Sequence, residues 1–377
     1  MTDEFLFARP ELANALAEQL TSRGPFAFTS GLFLAAPRRT GKSTFLRRDL
    51  TPALEQRDVK VVYVDLWEDL KRDPADLIRA QLIEAHRQLA GWLAQRTASF
   101  RAKRIGIPGL ASIDLAEPAS AASASLTELL GKLAALARSD VALIVDEAQH
   151  ARTTESGRQA MFALKAARDA FAQQTRDGDD ARLILLFTGS DRQKLSQLMA
   201  TRAEPFYGAS LQDFPQLGDD YCDAFAEHLN RWLAPQARIE GARLARIFEQ
   251  LGRRPEWLTQ TLRTAFTGPG LDALEQVATD HLARQSEHYA AQFEQMSPLE
   301  AALVARIAAR GGAYRPFAKD SVAEIQGETG EQTGTAQVQS AIQRLMHEQV
   351  LWSPGRGQYE LEDADFGRWI VESRSRA

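Results

Sequence analysis

The sequence holds one cysteine, Cys222, in 377 residues. That excludes an internal disulfide and any zinc site built from several cysteines. A lone thiol of this kind is expected to act as a small buried hydrophobe. No apolar run reaches the ~18–20 residues that span a bilayer. The opening MTDEF carries neither a basic nor an apolar segment, so no signal peptide is expected and the expected location is the cytoplasm. An excess of basic charge is missing too: 45 Lys and Arg face 50 Asp and Glu, a net charge of −5. Nothing global therefore steers the chain toward nucleic acid or an anionic membrane. What is present is an ordinary balance, 44% apolar and 25% charged, in a length that fits two or three domains.

The hydrophobic pattern alternates between two periods. Stretch 11–20 is Ala- and Leu-rich and predicts a helix that stops near Ser22, Gly24 and Pro25. Stretch 32–35 (LFLA) is a short apolar run, followed by a Gly-Lys-Ser-Thr turn and a helix over 42–50. Stretches 59–66 (VKVVYVDL), 141–145 and 183–187 (LILLF) are further apolar runs. Such runs suit parallel strands buried on both faces. Between them 74–93 reads as helix, and Met161, Leu164, Ala167 and Phe171 form one helical stripe. Strands alternating with helices predict an α/β domain with a parallel sheet.

The stretch 94–125 breaks this rhythm. It starts basic (Arg96, Arg101, Lys103, Arg104) and ends Ala/Ser-rich, which predicts an insertion with β character at 105–115 and then a linker. Residues 177–180 (DGDD) read as a surface turn. The expected division is a core over 1–218, a helical unit over 219–296 and a third unit over 297–377.

The strongest chemical signal is Ala36-Pro37-Arg38-Arg39-Thr40-Gly41-Lys42-Ser43-Thr44. It fits G-x-x-x-x-G-K-[ST] with alanine in the first place, where a small residue is what the turn needs. Backbone N–H groups of such a loop, with the helix N-terminus behind it, cradle a phosphate. Gly41 lets the backbone turn. Lys42 would reach the β- and γ-phosphates of ATP, and the Ser43 hydroxyl would ligate Mg2+.

A second signal is the strand 141–145 delivering Asp146 and Glu147 at its end, where open α/β sheets bind ligands. Asp146 would hold the magnesium shell and Glu147 would polarise the attacking water; the paired acids favour hydrolysis over phosphoryl transfer to another substrate. A third is Thr188-Gly189-Ser190 after LILLF. A polar group there could sense the γ-phosphate from the neighbouring strand, or Ser190 or Asp191 could simply cap the next helix.

The order of these signals resembles the AAA+ superfamily, and within it the archaeal-type ATPases related to the origin-recognition and STAND ATPases. The resembling pieces are residues 36–44, DEAQH at 146–150, FTGS at 187–190, the stretch 202–208, Gly-Arg-Arg-Pro at 252–255 and YELEDADFGRWI at 359–370. The resemblance implies a P-loop parallel-sheet AAA+ core with a helical lid and a C-terminal winged helix-turn-helix. It implies ATP and Mg2+ as cofactors. It makes Ser190, or else Thr188, the γ-phosphate sensor and Arg202 an arginine finger supplied to a neighbouring subunit. It also puts Arg254 and Pro255 in the lid region that touches nucleotide, although Arg-Arg stands here where relatives often have Gly-His.

From 298 on, three helices (298–310, 321–325, 335–348) and a hairpin bracketing 353–357 read as the winged helix-turn-helix, with 335–348 as recognition helix and Arg356 at the wing tip. Residues 298–377 hold nine Lys and Arg against eleven Asp and Glu. The presumed recognition helix carries Arg344, with His347, read as a solvated or packed histidine, beside Glu348. DNA contact needs cations, so protein contact is the favoured use of this unit. The basic stretch 95–104 near Trp92 and Phe100 is the other nucleic-acid candidate. The expected function is an ATPase that switches or assembles through a protein partner or its own copies. A DNA-engaged factor, like an initiator or a transposition regulator, is the alternative.

Overall fold

The computed structural model describes residues 5–23, 28, 30–36, 39–103, 124–174, 181–330, 333–355 and 357–376. Pro37, Arg38, the stretch 104–123 with its expected β character, the turn at 177–180 and Arg356 lie outside the described residues. Among the described residues no helix is long and apolar enough to cross a membrane. Two compact units emerge: residues 1–233 with 240–242 and 253–255, and residues 234–239, 243–252 and 256–377.

The first unit is built on a five-stranded sheet: β1 (Leu32–Ala35), β2 (Val59–Asp65), β3 (Asp140–Asp146), β4 (Leu183–Gly189) and β5 (Ser210–Asp213). Every pairing is parallel and the order is β2-β3-β4-β1-β5. Because successive side chains alternate faces, each strand feeds two cores. Phe33, Val62, Val64, Leu143, Val145, Leu185 and Phe187 enter one; Leu32, Leu34, Val61, Ile144, Ile184 and Leu186 enter the other. Helix α1 (Pro10–Thr21), α2 (Lys42–Phe45), a π-helical turn (Leu46–Leu50) and α3 (Thr51–Glu55) cover the second face. Helices α4 (Pro74–Lys103), α5 (Leu126–Ala137), α6 (Glu155–Gln174) and α7 (Arg192–Ser196) cover the first.

Three departures from the pattern reading have local causes. The helix expected to end near 93 runs on to Lys103, so the basic start of the expected insertion is helical. No Gly or Pro interrupts residues 92–103, and Ala, Gln, Arg and Lys are good helix formers. The helix over 42–50 widens at Leu46–Leu50. Pro52 follows and cannot donate to the carbonyl four residues back, while the Thr51 hydroxyl donates to the Leu46 carbonyl at 2.8 Å. Strand β5 reads Ser-Leu-Gln-Asp, too polar to register as an apolar run, and gains its order by pairing with β1.

Helix α8 (Asp219–Asn230) groups with the first unit, where Phe5 stacks on Phe225 at 4.6 Å and Phe7 meets Tyr221 edge-on at 5.6 Å. Cys222 is buried on it, as expected. Burial, then Asp219 and Asp223, push its thiol up to about 12.

The second unit contains most of α9 (Gly241–Gln250) and of α10 (Pro255–Thr267), then α11 (Leu274–Glu294), α12 (Pro298–Arg310), α13 (Lys319–Thr329) and α14 (Thr335–His347). A hairpin follows, β6 (Leu351–Gly355) against β7 (Gln358–Leu361), and then α15 (Ala364–Arg376). Ser297 and Glu300 form a reciprocal capping box at the start of α12. Leu303, Val304, Ile307, Val338, Ile342, Leu345, Phe366 and Ile370 share one core. Helix α15 is anchored in that core by Phe366 and Ile370. His347 is exposed on α14.

Phe187 stacks on Phe33 at 4.6 Å and leans on Phe206 at 4.6 Å, with no exposed surface. Phe187→Ala should destabilise the first unit by about 3–5 kcal/mol, read as a lower urea midpoint. Phe162→Ala, on an exposed ring, should change that stability by less than ~0.5 kcal/mol.

Candidate functional site

Parallel strands bring their C-terminal ends to one edge, and β1, β3 and β4 end there at Ala35, Asp146 and Gly189. Since β4 lies between β1 and β3, Thr188 falls between the loop after β1 and the acid ending β3. Ala36 holds the loop to the sheet, its N–H donating to the Gly189 carbonyl at 3.0 Å.

Gly41 caps α2 in a left-handed conformation, φ 84°. Its nearest neighbour for an added Cβ is 4.0 Å away. The constraint is therefore backbone conformation, which glycine meets without strain, and not crowding. The loop then delivers Lys42, which is 5% exposed, into the sheet edge. The Lys42 ammonium donates to Asp146, to Glu147 Oε1 at 3.1 Å and to Thr188 Oγ1 at 3.3 Å.

Asp146, 1% exposed, accepts on both oxygens. Oδ1 takes Lys42, Thr188 and the Glu147 N–H, the last at 3.0 Å. Oδ2 takes the Ser43 hydroxyl at 2.7 Å and the Tyr63 hydroxyl at 2.7 Å. Burial pushes its pKa up, but the Lys42 charge and the bonds from Lys42, Ser43 and Thr188 outweigh that and hold it at about 2.

Glu147 is left-handed, φ 53°, an uncommon state for a residue with a side chain. Its Oε2 accepts from Gln149 Nε2 at 2.6 Å, Ser190 Oγ at 2.7 Å and Ser190 N at 3.0 Å. Burial raises its pKa; Lys42, then Ser190, reverse this and leave it lowered. Gly189 matters here for space: a Cβ would overlap Gln149 Oε1. Asp191, not Ser190, caps α7, accepting from Lys194 N at 3.0 Å.

A cavity of about 400 Å³ opens beside this cluster, lined by residues 39–44 with Asp65, Trp67 and Glu147. The cluster has two carboxylates for one ammonium, an excess of one negative charge. Burial, then Asp146 and Glu147 among its neighbours, raise the Asp65 pKa. The donor set fits a cation: a serine hydroxyl that gives its proton to Asp146 keeps its lone pairs for a metal. Among the described residues no group of three or more His, Cys, Asp or Glu could hold a metal by itself. Magnesium suits such a sparse set, since it is held by one or two carboxylates together with substrate phosphates.

Of the residues singled out in the sequence, the structure brings together Lys42, Ser43, Asp146, Glu147, Thr188 and Ser190. Arg39, Thr40, Gly41 and Thr44 line the cavity, and Ala36 is tied to the sheet behind them. Arg202 is exposed in the turns after α7, and Arg254 is buried just before Pro255 at the start of α10; none of these three lines the cavity. Sequence reasoning missed Tyr63 and Gln149. Tyr63 is the one aromatic in β2, and Gln149 lies inside DEAQH, but neither carries a charge that would single it out.

No protein-family model and no curated protein sequence matches the chain. Among solved structures it is similar to the Aeropyrum pernix ORC2 protein in its ADP form, at 14% identity and a TM-score of 0.54, over 100% of this chain and 98% of that one. The same protein in its ADPNP–ADP complexes gives 15% identity and a TM-score of 0.50, over 98% and 94%. The Aeropyrum pernix ORC1 protein in complex with DNA gives 15% identity and a TM-score of 0.41, over 97% and 91%. With its β2-β3-β4-β1-β5 sheet, this chain has the fold of the Aeropyrum pernix ORC2 protein.

Proposed function

We propose that this chain binds ATP with Mg2+, hydrolyses it, and uses the nucleotide state to switch or assemble through protein contacts. The observation that carries the reading is Lys42, a buried ammonium held at a strand edge by Asp146, Glu147 and Thr188 beside an open cavity. The ADP and ADPNP forms of the ORC2 neighbour support nucleotide binding here.

The loop Ala36-Pro37-Arg38-Arg39-Thr40-Gly41-Lys42-Ser43-Thr44 is the phosphate cradle, and Lys42 exchanges its carboxylate partners for the β- and γ-phosphates. Ser43 and Asp146 would hold the magnesium, which when bound would offset the charge of the phosphates. Glu147 orients the attacking water. Ser190, which fixes Glu147, is assigned as the γ-phosphate sensor, with Thr188, which bridges Lys42 and Asp146, as the alternative. Arg254 and Pro255 serve as the lid contact.

We divide the chain by role into a core over 1–218, a helical lid over 219–296 and a winged helix-turn-helix over 297–377, in a cytoplasmic protein. Protein contact is favoured over DNA contact because four arginines of the last unit are already matched internally. Arg344 on α14 pairs with Glu300 at 2.9 Å, Arg310 with Glu324 at 3.2 Å, Arg374 with Glu328 at 3.0 Å, and Arg306 with both Glu324 and Glu328. A phosphate backbone would have to displace these acids first.

Two substitutions separate binding from chemistry. Lys42→Ala removes a charge-assisted contact of about 1.5–3 kcal/mol, so titration calorimetry should show ATP affinity falling by at least ~10-fold. Glu147→Gln should bind ATP like the parent and hydrolyse it about 10²–10⁴-fold more slowly. Parental turnover in that variant would remove Glu147 from the chemistry.

Arg202 is assigned to the γ-phosphate of a neighbouring copy, where it stabilises charge that develops in the transition state. Turnover per chain should then rise with protein concentration. Arg202→Ala and Lys42→Ala chains, each inactive alone, should recover activity on mixing, because one interface pairs an intact loop with an intact finger. Normal hydrolysis by Arg202→Ala at every concentration would instead make the chain a monomeric switch.

A further inference from the structure

Strand β2 runs beside β3 with Tyr63 opposite Ile144 and Asp65 opposite Asp146. Tyr63 and Asp146 therefore project to the same face, two residues apart along the strand direction. A phenol spans that offset, and its hydroxyl reaches Asp146 Oδ2 at 2.7 Å. The ring is itself held. The Arg47 guanidinium sits over it, 4.4 Å from the centroid, and also pairs with Asp65 at 3.7 Å. Arg47 belongs to the π-helical turn behind the phosphate loop, so helix, β2 and β3 converge on one carboxylate oxygen.

Oδ2 is the oxygen that also receives the Ser43 proton. The direction of the Ser43 lone pairs thus depends on how the Asp146 carboxylate is rotated. The donors on Oδ1 include Lys42, which the proposed function assigns to phosphate. On Oδ2 Tyr63 is, among the described residues, the donor that comes from outside the phosphate loop. It does not line the cavity, and the hydrogen bond it makes toward the site is to Asp146, so its effect on a ligand passes through that carboxylate.

We propose that Tyr63 is a positioning residue for the divalent cation. Its hydroxyl locks the Asp146 carboxylate, and through it the Ser43 hydroxyl, in the orientation that receives Mg2+. This rests on the ATP–magnesium reading of the site. Partners of a metal-holding carboxylate commonly change metal affinity by about 10–100-fold when removed.

The test is binding of a fluorescent ATP analogue to the full-length chain, titrated with Mg2+ and repeated in EDTA, for the parent and Tyr63→Phe. The proposal expects the half-saturating Mg2+ concentration to rise by about 10–100-fold in Tyr63→Phe. Affinity in EDTA and the circular-dichroism melt should stay at parental values. A drop of equal size with and without Mg2+ would make Tyr63 merely structural and overturn the proposal. So would an unchanged Mg2+ dependence in Tyr63→Phe, which leaves the metal site standing without Tyr63. A parent whose affinity ignores Mg2+ would sink the metal reading and this proposal together.

Discussion

One ammonium holds the sheet edge together. Lys42, Asp146 and Glu147 are all nearly inaccessible to water. Bare carboxylates at that depth would carry a large desolvation cost. The Lys42 charge is what keeps both acids ionised, against the upward push of burial. The cost explains the density of donors around them, from Ser43, Tyr63, Thr188, Gln149 and Ser190. It also explains why the arrangement is suited to a ligand: one negative charge remains in excess, and Lys42 is shared rather than owned by one partner. A buried ion pair is weak grounds for stability but good grounds for a poised site.

The sheet order turns that constraint into a site. A loop after β1 and an acid after β3 would stand two strands apart, and β4 fills the gap with Thr188. This is why polar residues at three strand ends, far apart in sequence, form one hydrogen-bonded cluster. It also explains the strained and small residues beside them. Glu147 takes a left-handed backbone, and Gly189 leaves room for the Gln149 amide that meets Glu147.

Much of this was legible in the sequence because the signals were local. The apolar runs at 32–35, 59–66, 141–145 and 183–187 are buried strands, with the acids at the end of β3 and the lysine in the loop-to-helix turn after β1. What stayed hidden depended on partners distant in sequence. Polar β5 is ordered by β1, and Tyr63 acquires its meaning from Asp146, 83 residues on. The basic stretch after Trp92 read as an insertion because it breaks the strand–helix rhythm, and helix-forming residue types carry α4 through to Lys103. In the second unit, charge counting gave the balance but not the pairing: Arg306, Arg310, Arg344 and Arg374 are matched in place by Glu300, Glu324 and Glu328.

The central claim is that the Lys42–Asp146–Glu147 cluster is a ligand site whose internal pairing is exchanged for a phosphate and its metal. The most direct measurement is the thermal unfolding midpoint of the full-length chain against ATP concentration, with Mg2+ and with EDTA. A ligand that binds only the folded state adds about 2.7 kcal/mol of stability at one hundred times its dissociation constant. The account predicts a midpoint that climbs with ATP, and climbs further when Mg2+ is present. A midpoint that stays flat through millimolar ATP in both conditions would contradict it.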